Sequence, residues 1–122
     1  VADAVLAAAR LGDIGVLFPP TDPSLAGADS AGLLGRVAGR VRAEGWSIAQ
    51  VDVTVIALRP GIAPIRERLV SRLAEILSID PGRIWIKGTT TNTLGDIGAG
   101  RGLGCLALTV LERSGGAAGP RA

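Results

Sequence analysis

The sequence predicts an α/β or α+β domain. Stretches with helical apolar spacing alternate with short runs of β-branched residues, and Gly/Pro turns separate them. At 122 residues the chain can enclose one core, and it is small enough to gain from assembly. Its hydrophobic fraction is 48% and its mean hydropathy +0.41, with only 2% aromatics. Small aliphatic side chains therefore carry the packing, and some apolar surface is expected to be covered between subunits. The net charge is +2, with 13 basic residues spread among 11 carboxylates. That pattern argues against a nucleic-acid groove. No apolar run is long enough to span a membrane and no signal peptide is recognisable, so a cytoplasmic setting is expected. Cys105, the single cysteine, lies in an apolar run and reads as a buried, inert thiol. The chain has no histidine and begins with Val rather than Met, as a fragment would.

Val1 to Leu11 reads as the end of an Ala-rich helix with Val1, Val5 and Ala8 on one face, stopped by Gly12. Asp13-Ile14-Gly15 leads into Val16 to Pro23, where three prolines are expected to exclude regular structure and Phe18 to plug the core. Asp29-Ser30 caps a second helix, with Leu33, Leu34, Val37 and Val41 inward, Arg36, Arg40 and Arg42 outward, and Gly45 as its stop. Ile48 to Leu58 reads as a strand whose alternation puts Val51, Val53 and Val55 on one face. Asp52, on the other face, suggests a sheet edge or an interface. After the Arg59 to Pro64 loop, Pro64 opens a third helix with the stripe Ile65, Leu69, Leu73 and Ile76. Its Arg66, Glu67, Arg68, Arg72 and Glu75 read as a solvated face. Asp80-Pro81-Gly82 turns the chain into a short strand, Ile84 to Lys87.

Thr89-Thr90-Thr91-Asn92 follows that strand. It reads either as a plain strand end, Thr being a good strand former, or as hydroxyls and N–H groups converging on an anion such as phosphate. Gly95 to Gly104 holds five glycines, lacks the dinucleotide spacing and shows no helix start. Leu103 to Leu111 reads as a buried strand, and 114–122 as a flexible Gly/Ala/Pro-rich tail. Loops at the strand ends place Asp13, Asp22, Arg59 and Thr89 to Asn92 at one rim.

The blocks Leu11 to Gly15, Leu17 to Pro23 and Gly27 to Ser30 resemble the 2-C-methyl-D-erythritol 2,4-cyclodiphosphate synthase family. The later blocks agree in order and spacing: Val51 to Thr54, the Pro60 loop, Lys87 with the threonines, and the glycine loop with Cys105. The resemblance spans nearly all of Val1 to Leu111. It implies a cyclodiphosphate-synthase-like domain over 1–113, with a small mixed sheet packed on helices. It also implies a homotrimer with active sites between adjacent subunits. The activity implied is that of a metal-dependent, CMP-releasing cyclase of non-mevalonate isoprenoid synthesis, a phosphorus–oxygen lyase. Its substrate is a cytidine-diphosphate-linked methylerythritol 2-phosphate. By resemblance, Asp13, Ile14 and Gly15 with Phe18, Pro19, Pro20, Thr21 and Asp22 hold the methylerythritol and phosphate portion. Ala57, Leu58, Arg59, Pro60, Gly61, Ile62 and Ala63 wrap the cytidine, joined by Gly88. Thr89, Thr90, Thr91 and Asn92 meet the diphosphate, the Thr90 hydroxyl polarising the transferred phosphoryl group.

There are also departures from the family. It binds zinc through an Asp-x-His pair and a further His, all upstream of the helix that opens this chain, together with magnesium or manganese between the phosphates. No metal ligand is assigned here, and the chain as given is expected to be inactive alone. Asn92 stands where the family has a carboxylate for magnesium, and Gly61 where it has a Lys, with Arg59 nearby. Asp96 replaces an aromatic and Ala99 an Arg, with Arg101 two positions out of register. An alternative is therefore a divergent, non-catalytic relative that binds nucleotide or phosphate, or serves in assembly.

Overall fold

The computed structural model describes residues 1–59 and 61–113. Pro60 and the tail over 114–122, expected to be flexible, lie outside the described residues. The elements run α1 (Ala2–Ala8), α2 (Ile14–Leu17), α3 (Ser30–Ala43), β1 (Trp46–Ala57), α4 (Arg66–Leu77), β2 (Ile84–Thr89), α5 (Gly95–Gly98) and β3 (Leu103–Arg113). Three 3₁₀ turns, Pro23–Leu25, Ala63–Ile65 and Pro81–Arg83, each carry a proline in their first two positions. Asp13, Asp22, Asp29 and Asp80 cap the turns and helices that follow them, their carboxylates accepting backbone N–H groups otherwise left without partners.

The sheet order is β2-β1-β3, with β1–β2 parallel and β1–β3 antiparallel. This is the small mixed sheet packed on helices that the sequence led us to expect. One face is covered. Val51, Val53, Ile84 and Ile86 meet Val5 and Leu6 of α1, Val37, Ala38 and Val41 of α3, and Ala74 and Leu77 of α4. Each fully buried branched aliphatic stabilises the fold by about 1.5–3 kcal/mol. The other face is open, and the antiparallel register sets Val110, Leu108 and Leu106 opposite Gln50, Asp52 and Thr54 on it.

The expectations are corrected at several points. Val5 is buried and Val1 packs against the core as expected, but Ala8 is exposed, and Leu6 and Ala9 complete the inward face of α1 in its place. Prolines do not keep the second loop irregular, since α2 ends just before Pro19 and a 3₁₀ turn begins at Pro23. Phe18 is half-buried at the core margin with Arg36 stacked 4.8 Å from its ring centroid. Arg42 and Arg66 are not simply solvated: Arg42 donates to the Leu77 carbonyl at the end of α4, and Arg66 Nε donates to Ile86 O at 2.7 Å. Asp52 lies on the central strand rather than an edge, and both its oxygens accept from Lys87 Nζ at 2.8 Å. The strand at Leu103–Arg113 exists but is not buried: Leu103, Leu106 and Leu108 are 62%, 67% and 69% exposed, and Leu106 and Leu108 lie on the face of the sheet that no helix covers. Cys105, expected to be buried, is exposed. The glycine loop contains a helical turn, α5, where none was expected.

Candidate functional site

Because β1 and β2 are parallel and β3 runs against them, Ala57, Thr89 and Leu103 fall at one end of the sheet. That end is the carboxyl end of both parallel strands, where loops of open α/β sheets gather ligands. A cavity of about 520 Å³ opens there. Ala57, Leu58, Gly61, Ile62 and Ala63 line it from the loop after β1, and Gly88, Thr89 and Thr90 from the end of β2. These residues were expected to act together, and the fold brings them together. Val55, Pro64 and Arg66 complete the wall and were not foreseen. The first two only continue segments already singled out, whereas Arg66 was hidden by its helical spacing.

Glycine at position 88 follows from contact. A Cβ there would come within 2.8 Å of Ile62 Cγ1, so the loop after β1 can lie on β2 only across a bare backbone. Thr90 follows the strand's end, its Oγ1 accepting the Asn92 N–H at 3.2 Å. Thr91 points elsewhere: its hydroxyl donates to Leu94 O at 2.7 Å. Asn92 and Thr93 both take positive φ, +55° and +68°, and Leu94 N–H closes the turn on Thr91 O at 3.1 Å. Two successive left-handed residues make this a type I′ turn, a place that suits Asn and strains a β-branched Thr. Thr91 and Asn92 do not line the cavity, nor does Arg59, whose guanidinium lies near Gly100. Arg101, near the expected cation position, is tied to Asp96 at 2.8 Å.

The Asp13 to Asp22 set is a separate cluster and does not line this cavity. The Asp13 carboxylate caps Val16 N–H at 3.0 Å, and Asp3 of α1 accepts the Ile14 N–H at 2.8 Å. Asp22 accepts from both the Ser24 hydroxyl and the Ser24 N–H, at 2.8 and 2.9 Å. The Ser24 hydroxyl, then its N–H, hold the Asp22 carboxyl below its ordinary value, with a small further pull from Arg36. The single rim expected for Asp13, Asp22, Arg59 and the threonines therefore resolves into two places on the chain. For a metal the donor set does not fit. The chain lacks histidine, and among the described residues no three His, Cys, Asp or Glu side chains gather to hold an ion.

Residues 1–112 match the YgbB family. The chain belongs to that family. It is 43% identical over 114 residues to the 2-C-methyl-D-erythritol 2,4-cyclodiphosphate synthase of Nostoc sp., a match covering 93% of this chain and 69% of that protein. It is 46% identical over 112 residues to the synthase of the same name from Azoarcus sp., covering 92% and 69%. Among solved structures, the bifunctional IspDF of Campylobacter jejuni superimposes with a TM-score of 0.87 at 38% identity, over 92% of this chain and 30% of that one. The Plasmodium falciparum IspF, a CDP complex, gives 0.80 at 32% identity, over 92% and 67%. Membership of the family and the mixed-sheet fold, both expected from the blocks of similar sequence, are thus shown.

Proposed function

We propose that the protein is a 2-C-methyl-D-erythritol 2,4-cyclodiphosphate synthase. Its substrate would be the cytidine-diphosphate-linked methylerythritol 2-phosphate, and it would act in isoprenoid synthesis. The observation that carries the proposal is the cavity in which the loop after β1 meets Gly88–Thr90, in a family whose solved members include CDP-bound forms. In the reaction a 2-phosphate oxygen attacks the β-phosphorus of the same molecule. One P–O bond forms, the bond to the α-phosphate oxygen breaks, and CMP leaves. Both reacting groups are anionic and already joined, so catalysis consists of positioning and stabilising developing charge. Thr90, which lines the cavity, is the catalytic residue of this reading, its hydroxyl serving the phosphoryl group in transfer. Ala57 to Ala63 and Gly88 take the nucleoside.

Asp13 to Gly15 and Phe18 to Asp22 do not reach the cavity of their own chain. This supports a homotrimer in which they serve a neighbouring subunit's cavity, as does the open apolar face of the sheet. The family's metals, zinc with magnesium or manganese, belong to the same reading, but no step is routed through them because the residues described do not form their site. A cytoplasmic setting suits the lone exposed thiol of Cys105.

The test is CMP release from the linked substrate by the purified full-length product, supplied with zinc and magnesium, alongside CDP binding by calorimetry; the chain as given, without the zinc ligands, is expected to be inactive alone. CMP at turnover rates together with CDP binding is expected. CDP binding without CMP would favour a non-catalytic nucleotide-binding relative, and the absence of both would overturn the proposal.

A further inference from the structure

Among the described residues, Arg66 is the one charged residue lining the cavity at Gly88–Thr90. It is the first residue of α4, and it reaches β2 rather than solvent. Its Nε–H donates to Ile86 O at 2.7 Å, and its guanidinium carbon stands 4.7 Å from the Trp85 ring centroid. One hydrogen bond and one stacking face fix the plane of a guanidinium that could otherwise sample many rotamers. Among the described residues no carboxylate lies within 4.0 Å of it, and its Nη groups make no hydrogen bond. It is therefore an oriented, half-buried cation with donors to spare. A neighbouring cavity of about 750 Å³ shares Arg66, Ala63 and Pro64, so the side chain forms part of the partition between the two.

Its place along β2 indicates what those donors meet. Ile86 precedes Gly88 by two residues and Thr90 by four, and a strand advances about 3.3 Å per residue. Thr89 and Thr90 line the cavity from the end of β2, while Arg66 lines it from the start of α4, anchored further back along β2 at Ile86. With phosphate at the threonines, the arginine end faces the base.

We propose that Arg66 is a specificity-determining residue for the pyrimidine of the nucleotide. It offers planar N–H donors to ring acceptors such as cytosine O2 and N3. Uracil, whose N3 carries a proton, lacks the second acceptor, so a fixed fork of donors favours cytosine. This inference rests on the nucleotide reading above and deepens it.

The test measures Kd for CDP, UDP and pyrophosphate on the wild type, Arg66→Met and Arg66→Lys, with melting temperature followed throughout. Arg66→Met keeps the stem and removes the donors. It is expected to weaken CDP by about tenfold, the size of one hydrogen bond to a charged group. It should also narrow the CDP-over-UDP preference and leave pyrophosphate unchanged. Arg66→Lys keeps the charge without the fork and should not restore the preference. An unchanged CDP:UDP ratio in Arg66→Met, or an equal loss for pyrophosphate, would overturn the proposal while leaving the nucleotide site intact. A wild type that binds no CDP would overturn both. If Arg66 served only to cover the β2 edge, melting temperature would fall with no change in the ratio, which also counts against the proposal.

Discussion

Thr90 makes a local hydrogen bond as an acceptor and keeps its proton for donation. The Asn92 N–H donates to its Oγ1 at 3.2 Å, which leaves the hydroxyl's own O–H free to donate. That arrangement suits a donor to a phosphoryl oxygen in transfer. Thr90→Val, which preserves shape and removes the donor, is expected to lower kcat for CMP release by on the order of a hundredfold. CDP affinity and melting temperature should change little, and Thr90→Ser should retain most of the activity. Steady-state kinetics with CDP calorimetry checks both. Asp22 makes a second, pH-dependent claim. Its folded-state carboxyl lies below the ordinary, unfolded value of 3.8 because two Ser24 donors favour the charged form. A depressed folded pKa means stabilisation that is present above that value and lost as pH falls through the lower folded one. A carboxyl-resolved NMR titration should therefore place Asp22 below 3.8, and Ser24→Ala should move it upward.

At the scale of elements, the turn from Thr91 to α5 shows what the sequence could and could not reveal. The long helix over Ser30–Ala43 and the strand over Trp46–Ala57 were legible because one has a capping Asp29 with a clear apolar stripe and the other strict alternation. The threonines were legible as a site only through the blocks of similar sequence around them. α5 was not legible, because two of its four residues are glycine, the poorest helix former after proline. β3 was misread as buried because apolar residues occupy both of its faces, and composition cannot tell a covered face from an open one. Gly98 is the residue that holds α5 to the threonine turn. A Cβ there would lie 2.3 Å from the Thr93 carbonyl carbon and 2.6 Å from Thr91 Oγ1, distances only a backbone shift can relieve. Gly98→Ala is therefore expected to destabilise the protein by about 1–3 kcal/mol. It should also lower CMP release, by displacing Thr90 through Thr91. Gly102→Ala, with nothing within 4 Å of its Cβ, is the control. Thermal melts of the two variants, with CMP-release rates, separate the cases.

For the whole molecule the decisive asymmetry is between the two faces of the sheet. Helices cover one. On the other, Leu106, Leu108 and Val110 stand 50–69% exposed, beside the Lys87–Asp52 pair. The side chains of that pair are 45% and 36% exposed, so in the isolated chain it adds at most about 1 kcal/mol. Covered by a neighbouring subunit it would be drier and more sensitive to alignment, which favours one register of association over others. An apolar row two residues apart along an edge strand is also a hazard unless something covers it. A second and third copy of the chain would cover it and would carry the Asp13–Asp22 cluster toward a neighbour's cavity. Assembly and activity should then fail together. Leu108→Glu places a carboxylate beside Asp52, its register partner, and burying such an unpaired charge costs several kcal/mol. Sedimentation should show the variant as a monomer and the wild type as the proposed trimer, with the fold retained by circular dichroism and CMP release lost. Arg68→Glu, an equal charge change or larger on the exposed side of α4, should leave both unchanged. A trimeric Leu108→Glu with full activity would show that the open face is not where subunits meet.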